Sequence, residues 1–282
     1  FIMPCALPWK KNCLQIETTK AELQHNLRMS QKGDLMALNG LGTINIELTS
    51  RCNKNCWMCG RRKVDREYPE LALEYGDMDF ELVKLISRQI PEGIVVQFHR
   101  DGDALLYPRF GEAVSLFPKT IRNIVTNGKL LVEKADEIIG NLETLSVSIF
   151  ERDEEAEEQR EIIRRFLAIK GDRKPYVTLR LIGEVDPRPY DEFKQQYVRR
   201  VLHQPMGSFG YVKRDPCVPE IGICWDFLGH PCINHQGIMS ICVRFDPEHL
   251  GVLGNIRDNS LEEMWNGPRR SEWKALHVAG KR

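Results

Sequence analysis

At 282 residues the chain suits one large domain, or one domain with a smaller appendage. Hydrophobic residues make up 42% and charged residues 28%, which is ample apolar content for a core. Lys plus Arg equals Asp plus Glu at 40 each, so no global field draws the chain to nucleic acid or to an anionic membrane. No apolar run approaches the roughly 18 residues that a membrane helix needs. Phe1-Ile2-Met3-Pro4 lacks the basic start of a signal peptide. The nine cysteines are odd in number and clustered in spacing, which fits a reducing cytoplasm better than a secreted disulfide framework.

Residues 1–38 hold Cys5, Cys13 and a weakly amphipathic stretch over 18–36, and read as an N-terminal extension whose two cysteines are bystanders. Residues 39–213 read as the main domain. From Thr43 the pattern alternates strand and helix. The predicted strands cover 44–48, 94–98, 121–126, 145–150, 176–182 and 209–212. The predicted helices cover 79–90, with Asp79 as N-cap, then 111–117, 128–140, about 153–170 and 190–202. Parallel neighbours need crossover helices, so six such units imply an α/β fold with a parallel sheet. Right-handed crossovers curl that sheet into a partial (β/α)6 TIM-like barrel, with its site at the C-terminal ends of the strands. The charged run over 151–165 reads as a solvated helix face and is given no chemistry.

The first strand runs straight into Cys52-Asn53-Lys54-Asn55-Cys56-Trp57-Met58-Cys59. Three thiolates at Cys-x3-Cys-x2-Cys spacing can hold three irons of a four-iron cluster and leave the fourth open to a ligand. Zinc is the competing reading, but it wants a fourth Cys or His at short spacing, and none follows before His99. Around this loop lie Arg51, Lys54, Arg61, Arg62 and Lys63, read as a solvated rim or as a docking face for an acidic electron donor.

This stretch resembles the signature of the radical S-adenosylmethionine (SAM) superfamily. The resemblance implies Cys52, Cys56 and Cys59 as cluster ligands, with Met58 near the adenine. It implies reductive cleavage of SAM to a 5′-deoxyadenosyl radical that abstracts hydrogen from a substrate. After the second strand, Asp101-Gly102-Asp103 resembles a degenerate form of the family's Gly-Gly-Glu-Pro element, whose backbone grips the methionyl amino group of SAM. Alone it is a generic turn, and its carboxylates also suit a cationic substrate. Thr126-Asn127-Gly128 resembles a further family element, which brings Asn127 into the cofactor set. Ser146 and Ser148 share one strand face, with Ser148 the ribose candidate. Arg180 and Glu184 suit either SAM's carboxylate or the substrate, or else each other.

Residues 214–282 read as an appended domain. Cys217, Cys224, Cys232 and Cys242 fall within it, and Gly237 marks a hairpin flanked by Cys232 and Cys242. Four cysteines can complete a second cluster or bind zinc. The Gly-x4-Cys ending, Leu253-Gly254-Asn255-Ile256 and Ser260-Leu261-Glu262-Glu263-Met264-Trp265 resemble the SPASM or shorter twitch extension, which implies one auxiliary 4Fe–4S cluster. The resemblance thus implies two clusters, SAM, and a flavodoxin- or ferredoxin-like electron donor. The substrate class stays open between small molecule, modified nucleotide and peptide. The reaction stays open between oxidation and isomerisation, and a non-catalytic metal-binding or electron-relay module is the competing class.

Overall fold

The computed structural model describes residue 38 and residues 40–200, 224–244 and 246–280. Six strands run parallel and side by side in chain order: β1 (Thr43–Ile46), β2 (Val95–Phe98), β3 (Ile121–Thr126), β4 (Thr144–Phe150), β5 (Tyr176–Ile182) and β6 (Gln196–Arg200). Between them lie α1 (Gly60–Glu67), α2 (Phe80–Ser87), α3 (Phe110–Ser115), α4 (Ala135–Ile138) and α5 (Ala156–Lys170). This is the partial (β/α)6 barrel expected from the alternation. The start of α2 follows from Asp79, whose side chain accepts the Glu81 amide at 2.7 Å and so satisfies a donor the helix leaves open.

Strand alternation sorts the side chains into two layers. Ile44, Ile46, Val96, Phe98, Ile124, Leu145, Val147, Ile149, Leu179 and Leu181 are buried on the helix-facing side, as are Leu82, Ile86, Phe110, Phe117 and Phe166 of the surrounding segments. The Phe98 ring meets Phe110 at 6.5 Å and Phe117 at 5.5 Å, both edge-to-face. The other face is polar: Asn45 pairs with Gln97, Gln97 with Asn123, Asn123 with Thr144, and Ser146 with Thr178. Ser146 and Ser148 therefore line the inner side, and their neighbours Val147 and Ile149 pack toward the helices.

Two expected helices differ. In place of a helix over 190–202 there is a 3-10 turn, Arg188–Phe193, followed by strand β6. The segment beyond completes the parallel sheet instead. The helix expected over 128–140 reduces to the single turn of α4. The strand expected over 209–212, Cys5, Cys13 and Cys217, and the N-terminal extension save Leu38, lie outside the described residues.

The C-terminal region contributes α6 (Trp225–Gly229), β7 (Cys232–Ile233), β8 (Ile238–Ser240), β9 (Val252–Asn255), α7 (Leu261–Trp265) and α8 (Pro268–Val278). The β7–β8 hairpin is the one expected, and Gly237 at its turn has φ 89°, a conformation that favours glycine. β7 pairs in parallel with β1, Asn45 against Cys232 and Ile46 against Ile233. Among the described residues the six barrel strands, the hairpin and β9 are thus one nine-stranded sheet. No helix among them is long and apolar enough to cross a membrane.

Candidate active site at the cysteine loop

Beyond β1 the chain turns through residues 52–59, and Cys59 caps the start of α1. The Cys59 amide donates to the Cys56 carbonyl at 3.1 Å, so the last turn of the loop is backbone-determined. The loop after β2 lies directly against it. A Cβ at Gly102 would stand 2.2 Å from the Thr49 carbonyl oxygen and 2.7 Å from that of Arg51, so only glycine allows this approach. The Asp103 amide donates to the Arg51 carbonyl at 2.8 Å. Between the two loops lies a cavity of about 260 Å³, lined by Cys52, Cys56, Met58, Cys59, Asp101, Gly102, Asp103, Asn127 and Ser148, with Val125, Phe150 and Ile182 closing it. The structure thus brings together the candidate residues of four separate strand ends. Arg180 is the β5 partner of Ser148 and is not among the lining residues.

The thiols are free. Burial pushes the Cys52 thiol up, and burial with the neighbouring Cys52 and Cys59 pushes Cys56 up to about 12. Three thiolates together are therefore unfavourable here unless a bound cation offsets their charge, and soft thiolates suit iron–sulfur ligation. Among the described residues no three His, Cys, Asp or Glu side chains converge closely enough for a single metal ion. The ligands of a four-iron cluster sit on separate irons and need not converge on one point. The donor set fits a cluster.

The Asp103 carboxylate is turned inward rather than into the cavity. It is buried and accepts from Thr126 Oγ1 at 2.8 Å, the Asn127 amide at 2.8 Å and the Leu105 amide at 3.1 Å. It ties the loop after β2 to the end of β3, and so acts on the cavity through its backbone. Asn127 faces the cysteine loop: its Nδ2 donates to Asn53 Oδ1 at 2.8 Å and lies 3.8 Å from Cys52 Sγ. Gln159 of α5 donates to the Asn127 carbonyl at 2.5 Å and to that of Ser148 at 2.9 Å, which holds both strand ends. Burial pushes the Asp101 carboxyl up to about 7, against the pull of Arg100. Burial, helped by the charge of Arg180, pushes His99 down to about 3, so this imidazole is neutral.

Two members of the expected solvated rim are not solvated. Lys54 is 6% exposed, with Nζ at 2.9 Å from Asp153 and 2.7 Å from Glu155. Arg61 is 4% exposed, donates to the Ser50 carbonyl and stacks over the Tyr75 ring at 4.6 Å. The run over 151–165 is accordingly more than a solvated face, because its first residues anchor the cysteine loop. Trp57 adds to this, donating its indole N–H to the Glu151 carbonyl at 3.1 Å. A lysine between two candidate ligands was the available signal, but nothing local names its partners 99 and 101 positions away.

In the C-terminal region Cys224 is exposed before α6, Cys232 is buried on β7 and Cys242 follows β8. Cys232 pairs across the hairpin with Ser240, and Cys242 follows two residues on, past the end of β8. Burial pushes both Cys232 and Cys242 up.

Residues 224–281 match the SPASM family, described as an iron–sulfur cluster-binding domain. A tungsten-containing aldehyde ferredoxin oxidoreductase cofactor-modifying protein of Pyrococcus furiosus is 33% identical over 109 residues, which span 37% of this chain and 28% of that protein. Among solved structures, BtrN in complex with AdoMet and 2-DOIA is similar at a TM-score of 0.57 and 17% identity, over 86% of this chain and 90% of BtrN. SuiB of Streptococcus suis bound to S-adenosylmethionine is similar at 0.60 and 13%, over 91% and 72%. AdoMet-bound anSMEcpe is similar at 0.58 and 12%, over 83% and 80%. Residues 224–281 are thus similar to an iron–sulfur cluster-binding SPASM domain, and the barrel shares its fold with these S-adenosylmethionine-bound structures.

Proposed function

We propose that the protein is a radical SAM enzyme that oxidises or otherwise modifies a small polar substrate held inside the barrel. The observation that carries this is the convergence of Cys52, Cys56, Cys59, Met58 and Asp101-Gly102-Asp103 on one cavity at the strand ends. A 4Fe–4S cluster on the three cysteines supplies, when bound, the electron that cleaves SAM to a 5′-deoxyadenosyl radical. The chain's own part is to bind and orient. The backbone of Asp101 to Asp103 holds the methionyl end of SAM, Met58 packs at the adenine, and Ser148 serves the ribose, with Arg180 beside it on β5 acting from outside the cavity lining as a charge for SAM's carboxylate or the substrate. Below them the inward-facing Gln97, Asn123, Ser146 and Thr178 offer hydrogen bonds to a hydroxyl-bearing substrate. The apolar layer outside the strands keeps bulk water from the radical. Cys224, Cys232 and Cys242, with Cys217, are the ligand set for an auxiliary cluster, and a flavodoxin- or ferredoxin-like protein is the reductant.

A peptide substrate is the second reading. It is favoured by the similarity to SuiB bound to its precursor peptide SuiA, at a TM-score of 0.53 and 10% identity. The test is anaerobic incubation of the iron-loaded protein with dithionite and SAM. The reading predicts 5′-deoxyadenosine from the wild type and none from the Cys52→Ala/Cys56→Ala/Cys59→Ala variant. A wild type that forms none is a metal-binding module and not this enzyme.

A further inference from the structure

Glu47 follows β1 and is 3% exposed, yet no part of the proposed chemistry uses it. Its carboxylate joins three segments. Oε1 accepts the Asp101 amide at 3.1 Å. Oε2 accepts the His235 amide at 3.3 Å and stands 3.3 Å from His235 Nδ1. Arg100 Nη1 lies 3.9 Å away. Asp101 opens the loop that meets the cavity, and His235 sits in the turn between β7 and β8, three residues after Cys232. That turn is internally braced: Asn234 Oδ1 accepts the amides of Gln236 at 3.0 Å and Ile238 at 2.8 Å. The Glu47 amide also donates to the Ile233 carbonyl at 2.9 Å, which fixes the hairpin against the end of β1.

We propose that the C-terminal hairpin positions the SAM-binding loop through the Glu47–His235 contact, making His235 and Glu47 positioning residues for SAM although neither lines its cavity. The proposal rests on the reading that the Asp101 loop binds SAM. The physical reason is the shared acceptor. A buried carboxylate must keep its donors, because an unmet buried charge is costly. When the His235 side chain is removed, Oε2 keeps only the His235 backbone amide, and Glu47 re-aims toward Arg100 or water and no longer holds the Asp101 amide in place. Coupling of this kind is reciprocal, so SAM binding in turn supports order in the hairpin that carries Cys232.

The test measures SAM affinity by equilibrium dialysis on the anaerobically iron-loaded full chain, with iron counted in each sample. His235→Ala should weaken SAM binding about tenfold at unchanged iron content. His235→Asn places an amide N–H where Nδ1 lies and should restore most of the loss. Glu47→Gln should also weaken binding, and combining it with His235→Ala should cost no more than the larger single change. It also serves as the second probe if His235→Ala loses iron or fails to fold. Ser260→Ala is the control for general loosening. It removes the capping box of α7 in the same region, where Ser260 and Glu263 satisfy each other's backbone amides, and touches nothing at Glu47. Unchanged affinity in His235→Ala or, should that variant fail, in Glu47→Gln overturns the proposal, as does an equal loss in Ser260→Ala. A wild type that binds no SAM overturns the functional reading together with this coupling. A binding wild type with an unmoved variant overturns the coupling alone.

Discussion

Lys54 offers the sharpest test of how the cysteine loop is held. Its side chain is 4% exposed and that of Asp153 is 7% exposed, with 2.9 Å between the charged atoms. Glu155, the second partner, is 40% exposed and also held by Lys129 at 2.5 Å, so solvent screening leaves it a small share. Lys54→Met removes the cation and leaves Asp153 buried without it. Breaking a buried pair in this way costs ~3–5 kcal/mol. Asp153 Oδ1 keeps the Glu155 amide as a donor at 3.1 Å, which places the loss near the lower end, ~3 kcal/mol. For a chain of this size that lowers the melting temperature by about 5 °C. Because Lys54 lies between Cys52 and Cys56, the variant should also retain less iron after desalting. Lys54→Met/Asp153→Leu should recover part of both losses, since the uncompensated carboxylate is gone. Differential scanning fluorimetry with iron analysis reads all three proteins. A Lys54→Met protein that melts with the wild type and holds its iron refutes the argument that this pair fixes the loop.

Three further outcomes follow from the same geometry. Asp103→Ala should weaken SAM binding with iron content intact, because the Thr126 hydroxyl and Asn127 amide lose their shared acceptor; unchanged affinity in a dialysis assay would reject that role. Anaerobically purified wild type should hold about eight irons, and the Cys52/Cys56/Cys59 triple alanine variant about four; stoichiometric zinc surviving the triple change would reject the auxiliary cluster. Cys232→Ala with Cys242→Ala should preserve SAM cleavage while abolishing the oxidised product; normal product from a soluble double variant makes the second site structural and favours a redox-neutral reaction.

The barrel was legible where apolar and polar residues alternate over a buried strand. Ile44 to Leu48 and Leu145 to Phe150 each announce one greasy and one polar face, and the structure places them so. The edge was not legible. Among the described residues Gln196–Arg200 is the last strand of the sheet, with Tyr197 47% and Val198 42% exposed, so no buried face imprints an alternation, and the apolar spacing from Tyr190 onward mimics a helix. At the site, the cysteine spacing is local and was read directly. The contacts that hold the loops are not: Glu47 and His235 are 188 positions apart, and no period or motif links them. Asp103 shows a third case: it lies at the cavity after β2, but its carboxylate turns to Thr126 and Asn127, which arrive from the next strand and leave no local signal.

The central claim is that the cysteine loop leaves one iron open to SAM. It is tested most directly by electron paramagnetic resonance on the dithionite-reduced Cys224→Ala/Cys232→Ala/Cys242→Ala variant, in which only the first site can carry a cluster. Adding SAM should change the g-values of that signal, because a ligand joins the iron that no cysteine holds. A 4Fe–4S signal that SAM leaves unmoved would contradict the account.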